Sequence, residues 1–146
     1  MDLSVDTLLR LVTAVICGGL IGLNRDYYGK PTGIRAHALV ALGAAILVVA
    51  GGDKPDPTSR VIQGVIAGIG FLGAGVILRG AQNLRVYHLV TAASLWVTTG
   101  VGVLCGLGAW KLALAATALV LVVLMLGVYL DRWLYGAGGV KEEDRE

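Results

Sequence analysis

Long apolar stretches alternate with short polar connections along this chain. A helix needs roughly 20 mainly apolar residues to cross the hydrocarbon core of a bilayer. Five stretches approach that length, and they cover about residues 8–23, 34–50, 61–78, 89–107 and 109–130. The pattern predicts an all-α integral membrane protein, folded as a compact bundle of about five transmembrane helices. We assign residues 1–134 to this bundle and residues 135–146 to a polar tail, which is too short to fold alone.

Polar and turn-forming residues mark the predicted helix boundaries. The second helix is expected to begin after Pro31-Thr32, and Ser59 is a candidate N-cap for the third. The strictly apolar part of the second stretch covers only about residues 38–50, and the fourth and fifth stretches meet at CGLGAWK. A bundle of four spans with a re-entrant segment is therefore an open alternative.

Glycine recurs every two to five residues in the run GVIAGIGFLGAGVILRG, which covers residues 64–80. Glycine disfavours a helix in water, but in a bilayer small residues let neighbouring helix backbones approach closely. On a helix these glycines occupy two nearly opposite faces, which predicts that the run lies at the packed centre of the bundle. The predicted packing positions are Gly18, Gly22, Gly64, Gly68, Gly70, Gly73, Gly75, Gly102 and Gly106.

Composition agrees with a membrane protein, since 56% of residues are hydrophobic, 15% are charged and the mean hydropathy is +0.78. A soluble domain of this size could not bury so much apolar surface. The net charge of +2 is small, so we expect the lipid bilayer as a partner and not nucleic acid. Cys17 and Cys105 lie inside apolar stretches, which favours small packing residues over a disulfide or a metal pair.

Basic residues are unequally shared between the two ends of the predicted helices. In the five-span arrangement, eight of the twelve Lys and Arg residues fall on one side. They are Arg25, Lys30, Arg35, Arg79, Arg85, Arg132, Lys141 and Arg145. The positive-inside rule assigns that side to the cytoplasm, which predicts an N-terminus outside and a C-terminus inside.

Polar residues form a narrow stripe on the fourth predicted helix, while Trp96 points away from it. The stripe consists of Thr91, Ser94, Thr98, Gly102 and Cys105. One interpretation is that these groups bond to carbonyls of their own helix or pack across a tight helix interface. The other is a polar track for an ion or a solute, which the hydroxyl groups would coordinate weakly.

Ionisable residues border the predicted spans at one end and form a candidate charged cluster. Its members are Arg25, Asp26, Arg35, His37 and Arg79. Snorkelling of the long basic side chains toward the lipid headgroups is the alternative to a cluster. Because Asp26 is too short to snorkel far, we expect it to pair with one of the three arginines.

The sequence contains no recognisable catalytic or cofactor-binding pattern. The spacing GxGxxG at residues 68–73 lies within an apolar run, and no acidic residue follows until Asp131, which favours helix packing over dinucleotide binding. No nucleophile–base pair and no metal-ligand spacing occurs. We therefore predict that the protein is not an enzyme and holds neither cofactor nor metal.

The chain resembles the membrane domain of the MgtC/SapB family in the order and spacing of four pieces, namely GGLIGLNRD, GIRAHALVALGAA, SRVIQGVIAGIGFLGAGVI and LVTAASLWVTTGVGVLCGLG. The resemblance implies a multi-pass protein of the bacterial inner membrane that is linked to magnesium limitation and stress. It also implies action on other membrane proteins, including an ATPase, the F-type ATP synthase. It does not imply a magnesium carrier.

Three departures from the family pattern limit what the resemblance implies. Asn24 stands where the family usually has glutamate, in a motif like GLERE, and residues 88–93 read HLVTAA where the family tends to show GLTTAA. The resemblance also includes a soluble C-terminal domain, whereas only a tail follows Leu134 here. The resemblance does not carry activities that need that domain, virulence above all, over to this chain.

Two functional hypotheses follow from these patterns. The first is a non-enzymatic membrane protein that acts through helix–helix association with itself, as a homo-oligomer with a dimer favoured, or with a larger membrane protein such as an ATPase. The alternative is a small oligomeric ion channel or transporter with a Thr/Ser-lined path. For such a path a monovalent ion or a proton fits better than Mg²⁺, which prefers carboxylates and retained waters.

Overall fold

The computed structural model describes residues 4–52, 55–79 and 88–134, without the side chains of residues 55, 78, 79, 131, 132 and 134. Five helices follow one another, and no described residue lies in a β-strand. They are α1 (Val5–Tyr27), α2 (Ile34–Gly51), α3 (Pro55–Arg79), α4 (Leu89–Gly106) and α5 (Trp110–Leu134). All five are long and apolar enough to cross a membrane. The prediction of five helices is confirmed, and the length and apolarity of all five favour five spans over four. The predicted tail at residues 135–146 lies outside the described residues.

The start of α3 differs from the prediction. Helix α3 begins at Pro55, where a proline suits the first helical position because its ring fixes φ and its missing N–H is not needed there. Ser59 therefore lies inside the helix and is not its cap. Helix α2 begins at Ile34, after Pro31-Thr32 as predicted, with Gly33 at the N-cap position.

Helix α4 lies at the centre of the bundle, in contact with each of the other four helices. Most of its residues are buried, whereas α3 and α5 present most of theirs to the outside. Helices α1 and α3 do not touch each other within the described residues, because they lie against different parts of α2 and α4. The main core cluster joins α1, α2, α4 and α5 around Ile21, Ala41 and Val101.

The glycine-rich run does not lie at the packed centre of the single chain, so that prediction is wrong. A Cβ added at Gly64, Gly68, Gly70 or Gly75 would meet nothing within 4 Å, and at Gly73 it would lie an unstrained 3.7 Å from Ala92 Cβ. Instead, α3 packs through larger side chains of its inner face, Val61, Ile62 and Val65, against a small cluster on α2 and α4. The periodicity correctly places glycine on two faces, but of the glycines in the run only Gly73 meets another helix within the described residues, at Ala92 of α4.

Close backbone approaches occur instead where α2 lies between α1 and α4. A Cβ at Gly102 would collide with the backbone of Ala41, whose Cα it would approach to 2.8 Å, and one at Gly106 would come within 2.9 Å of the Ala45 oxygen. On α1, a Cβ at Gly18 would lie 2.6 Å from the His37 oxygen, and one at Gly22 would lie 2.5 Å from Ile34 Cα. The two glycine pairs spaced four residues apart, 18/22 and 102/106, thus allow the backbone at the start of α2 and along it to pack closely against α1 and α4.

Candidate functional site

Four buried polar side chains meet where the end of α1, the start of α2 and the start of α4 come together. We call this group the polar cluster, and it consists of Arg25, His37, Thr91 and Ser94. Each of the four is at most 5% exposed. Polar groups in a membrane-spanning bundle carry a large desolvation penalty unless they are bonded, so such a cluster is a candidate functional site.

Arg25 reaches from α1 to α4, where its Nη2 donates a hydrogen bond of 2.7 Å to Thr91 Oγ1. Its Nε is buried and has no hydrogen-bond partner among the described residues. No described carboxylate forms a salt bridge with it. Since a guanidinium stays protonated in proteins, a positive charge is held inside the bundle by a neutral hydroxyl acceptor.

His37 is fully buried and joins α2 to α4. Its Nδ1 lies 3.1 Å from the Gly33 oxygen on its own helix, and its Nε2 lies 3.1 Å from Ser94 Oγ. The Ser94 hydroxyl donates in turn to the backbone oxygen of Thr91 at 2.8 Å. Two helices are therefore connected through one imidazole and one hydroxyl.

The predicted polar stripe on α4 faces the neighbouring helices of the same chain. Thr98 donates to the Ser94 oxygen at 2.8 Å, and Cys105 lies in the main core cluster beside Cys17. Gly102 packs against Ala41 of α2. The stripe thus matches the first of its two interpretations, bonding within the helix and at tight interfaces, and its side chains are buried against the described residues.

The predicted charged cluster is only partly assembled. Arg25 and His37 do meet the same residues of α4, but Arg35 is exposed, and the side chain of Arg79 lies outside what the structure describes. Asp26 is exposed, accepts a hydrogen bond of 2.9 Å from the Ile34 N–H and forms no salt bridge with Arg25 or Arg35, so its expected pairing with either of them is wrong. The expected pairing with Arg79 lies outside the described side chains. A short carboxylate next to a helix N-terminus can accept from the N–H groups that lack a partner within the helix.

Sequence reasoning missed a second polar feature at the opposite end of the bundle, around Arg10. Its Nη1 donates to the Gly106 oxygen at the end of α4 over 3.0 Å, and its Nε lies 2.7 Å from Asp6 Oδ2. The i,i+4 spacing of Asp6 and Arg10 was the available signal. A cavity of about 750 Å³ opens beside them, with Thr7 and Gln63 among its polar lining residues.

Metal binding finds no support in these surroundings. Over the described ranges, no three His, Cys, Asp or Glu side chains come together as a ligand group.

Comparisons with known proteins agree with the sequence resemblance. The sequence model of the MgtC family matches residues 11–133. Protein MgtC of Salmonella typhimurium strain 14028s is 47% identical over 115 residues, which cover 78% of this chain and 49% of that protein. Protein MgtC of Brucella abortus strain 2308 is 44% identical over 117 residues, covering 77% of this chain and 48% of that protein.

A shorter relative is covered more completely. Protein SrpB of Synechococcus elongatus is 43% identical over 129 residues, which cover 79% of this chain and 71% of that protein. No solved structure matches the chain. The chain spans about half the length of the two MgtC proteins, and the match runs through all five helices. With this match and these identities, the chain belongs to the MgtC family.

Proposed function

We propose that this chain is a non-enzymatic, multi-pass protein of the bacterial inner membrane that acts through helix–helix association during adaptation to magnesium limitation. Family membership supports the membrane setting and the link to magnesium. A single structural observation supports the mechanism, namely the uncovered glycine face of α3.

The uncovered face of α3 has the properties of a helix-packing surface in lipid. Gly64, Gly68 and Gly75 lie on one face with nothing within 4 Å of an added Cβ, and the Phe71 side chain beside them is 83% exposed. Helices in a bilayer associate where small residues permit close van der Waals packing. The glycine pairs 18/22 of α1 and 102/106 of α4 are already covered by α2 and its N-cap, whereas the glycine face of α3 is left for another molecule.

The occupants that we propose for this face are a second copy of the chain, as a dimer, and a larger membrane protein such as an ATPase. The ATPase is supported only by what the family resemblance implies. We further propose that the N-terminus lies outside and the C-terminus in the cytoplasm, supported by the excess of basic residues on one side. A reporter fused at Glu146 should then be active in the cytoplasm, and activity only in the periplasm contradicts this orientation.

Oligomer size in lipid nanodiscs or mild detergent tests the mechanism. Gly68→Leu places a bulky side chain on the uncovered face and touches nothing within the chain, so it should convert the oligomer into monomers without lowering the Tm of the monomer. Gly127→Leu is the matched control, because Gly127 of α5 is equally exposed and open, and it should keep the wild-type size. If Gly68→Leu keeps the wild-type oligomer, association through α3 is wrong.

Growth of a bacterial strain tests whether association through α3 is needed for function in the cell, which oligomer size in detergent does not measure. A strain that lacks the chain should grow poorly in low magnesium, and wild type and Gly127→Leu should restore growth. Gly68→Leu should fail to restore it at equal membrane abundance. Full rescue by Gly68→Leu would contradict a functional role for the α3 face.

A further inference from the structure

The contacts around His37 require more protons than neutral side chains supply. Nδ1 lies within hydrogen-bond distance of the Gly33 backbone oxygen, and Nε2 within that distance of Ser94 Oγ. Ser94 Oγ in turn lies within hydrogen-bond distance of the Thr91 backbone oxygen. A carbonyl oxygen only accepts, so the first contact needs a proton on Nδ1 and the third uses the hydroxyl proton of Ser94. The middle contact then needs a proton on Nε2. Both ring nitrogens are donors in this arrangement.

A neutral imidazole carries one ring proton and therefore leaves one contact unmade. With that proton on Nδ1, the bond to the Gly33 oxygen remains, and the Ser94 hydroxyl turns to donate to Nε2. The bond from Ser94 to the Thr91 oxygen is then lost. The two protonation states thus differ in the direction of the His37–Ser94 bond and in the partner of one hydroxyl.

The groups around His37 act on its charge in opposite senses. Burial, which is the largest effect, and the Arg25 guanidinium of α1 disfavour the charged ring, whereas the backbone oxygens of Gly33 and Thr32 and the Asp26 carboxylate favour it. From α4, the residues that contact the ring region are the hydroxyls of Ser94 and Thr91, which do not titrate. Helix α3 packs on α2 at Ala44 and Val48, near the other end, and α5 makes no contact with α2 in the described residues. The charged ring is therefore opposed by burial and by Arg25, and favoured by its hydrogen-bond acceptors and by Asp26.

We propose that His37 is a proton-binding site that couples protonation to the contact between α2 and α4. In the protonated form the Nε2–H bond to Ser94 is charge-assisted, and such bonds are shorter and stronger than neutral ones. When the proton is released, the Ser94 hydroxyl donates to Nε2, and the hydrogen bond from Ser94 to the Thr91 backbone oxygen is lost. The site lies one turn inside the start of α2, so a proton crosses only a short distance to reach it.

Nitrogen NMR of the histidine rings measures the proposal directly on the full chain in lipid nanodiscs. The chain has two histidines, so the histidine signals that remain in the His88→Gly variant belong to His37. Between pH 5 and 8.5, the His37 ring should change from the doubly protonated form to the neutral form with its proton on Nδ1. A His37 ring that stays in one form over this range overturns the proposal.

Two variants of α4 separate the proton site from a merely structural bond. Ser94→Ala removes the acceptor of the Nε2 proton, so the change of form should occur at a pH that is lower by one unit or more. One pH unit corresponds to about a tenfold change in proton affinity. Thr98→Val is the matched control, because its hydroxyl donates to the Ser94 oxygen and not to the ring, and it should leave the change where it is. Equal behaviour of the two variants would contradict the role of Ser94.

Thermal unfolding supplies an independent readout of the coupling. Burial makes the charged ring more costly in the folded chain than in the unfolded one, so the Tm of wild type should rise by a few degrees as the pH rises through the change of form, and in Ser94→Ala this rise should extend to lower pH. A Tm of wild type that does not respond to that change would show that the proton is bound without coupling to the helices. This test does not involve the α3 face, so its result is independent of the proposed function.

Discussion

Arg25 of α1 donates a hydrogen bond of 2.7 Å from Nη2 to Oγ1 of Thr91 on α4, and both side chains are almost completely buried. A buried guanidinium depends on its acceptors, because it cannot lose its charge. Among the described residues no carboxylate bonds to it, and the hydroxyl of Thr91 is the side-chain group that accepts its hydrogen bond. The bond ties the end of α1 to the start of the central helix.

Thr91→Val should lower the free energy of unfolding by about 1–3 kcal/mol, the range for leaving a buried polar partner unsatisfied. Thermal or denaturant unfolding in detergent measures this. Thr99→Val is the control, since the Thr99 hydroxyl donates to the Leu95 oxygen of its own helix and should be worth less than about 1 kcal/mol. Equal losses in the two variants would contradict a special role of the Arg25–Thr91 bond.

Gly102→Ala should destabilise the bundle by about 1–3 kcal/mol, because the new methyl group collides with the backbone of Ala41 and pushes α2 and α4 apart. Gly100→Ala, two residues earlier on the same helix, meets nothing within 4 Å and should be neutral or slightly stabilising. Unfolding in detergent compares the two. A Gly102→Ala variant as stable as Gly100→Ala would show that the α2–α4 backbones are not in close contact.

Asp26→Ala should cost about 1 kcal/mol, because the Ile34 N–H at the start of α2 loses its carboxylate acceptor. Asp26→Asn keeps a side-chain oxygen at the same place and should recover most of the loss. Helix content and Tm are the measurements. If Asn is no better than Ala, the contribution of Asp26 is its charge and not this hydrogen bond.

His88 adopts the left-handed conformation at the N-cap of α4, with φ of 64°, at the position where the family pattern GLTTAA begins with glycine. A side chain there adds roughly 1 kcal/mol of strain that glycine avoids. His88→Gly should therefore be more stable than His88→Ala by about 1 kcal/mol. Comparing these two variants removes the contribution of the imidazole itself, and equal Tm values would contradict the strain.

The number of helices and their approximate bounds follow from the sequence because each apolar stretch is separated by polar or turn-forming residues. The start of α3 does not, since PDPTSR reads as a loop by composition although Pro55 begins the helix. A helical wheel identifies the glycine faces of α3, but it carries no information about which other helix covers a face. That depends on the arrangement of the whole bundle.

The polar cluster illustrates the same limit. The sequence places Arg25 and His37 near one membrane boundary, and places Thr91 and Ser94 on one stripe of α4, as two separate features. Only the packing of α1 and α2 against α4 brings them together, at sequence separations of 66 and 57 residues. The hydrogen bond from the Ile34 N–H to Asp26 could not be predicted either, because local sequence does not show which backbone N–H groups lie within reach of the carboxylate.

The central position of α4 has a consequence for how the chain is made. Helices α1 and α2 pack extensively on each other, so a ribosome can deliver them to the membrane as a hairpin that is already assembled. Helix α3 has few partners until α4, the fourth helix to emerge, arrives to join all the others. Biogenesis therefore has a late commitment step, and a chain interrupted before residue 89 would leave α3 largely surrounded by lipid and open to quality-control proteases.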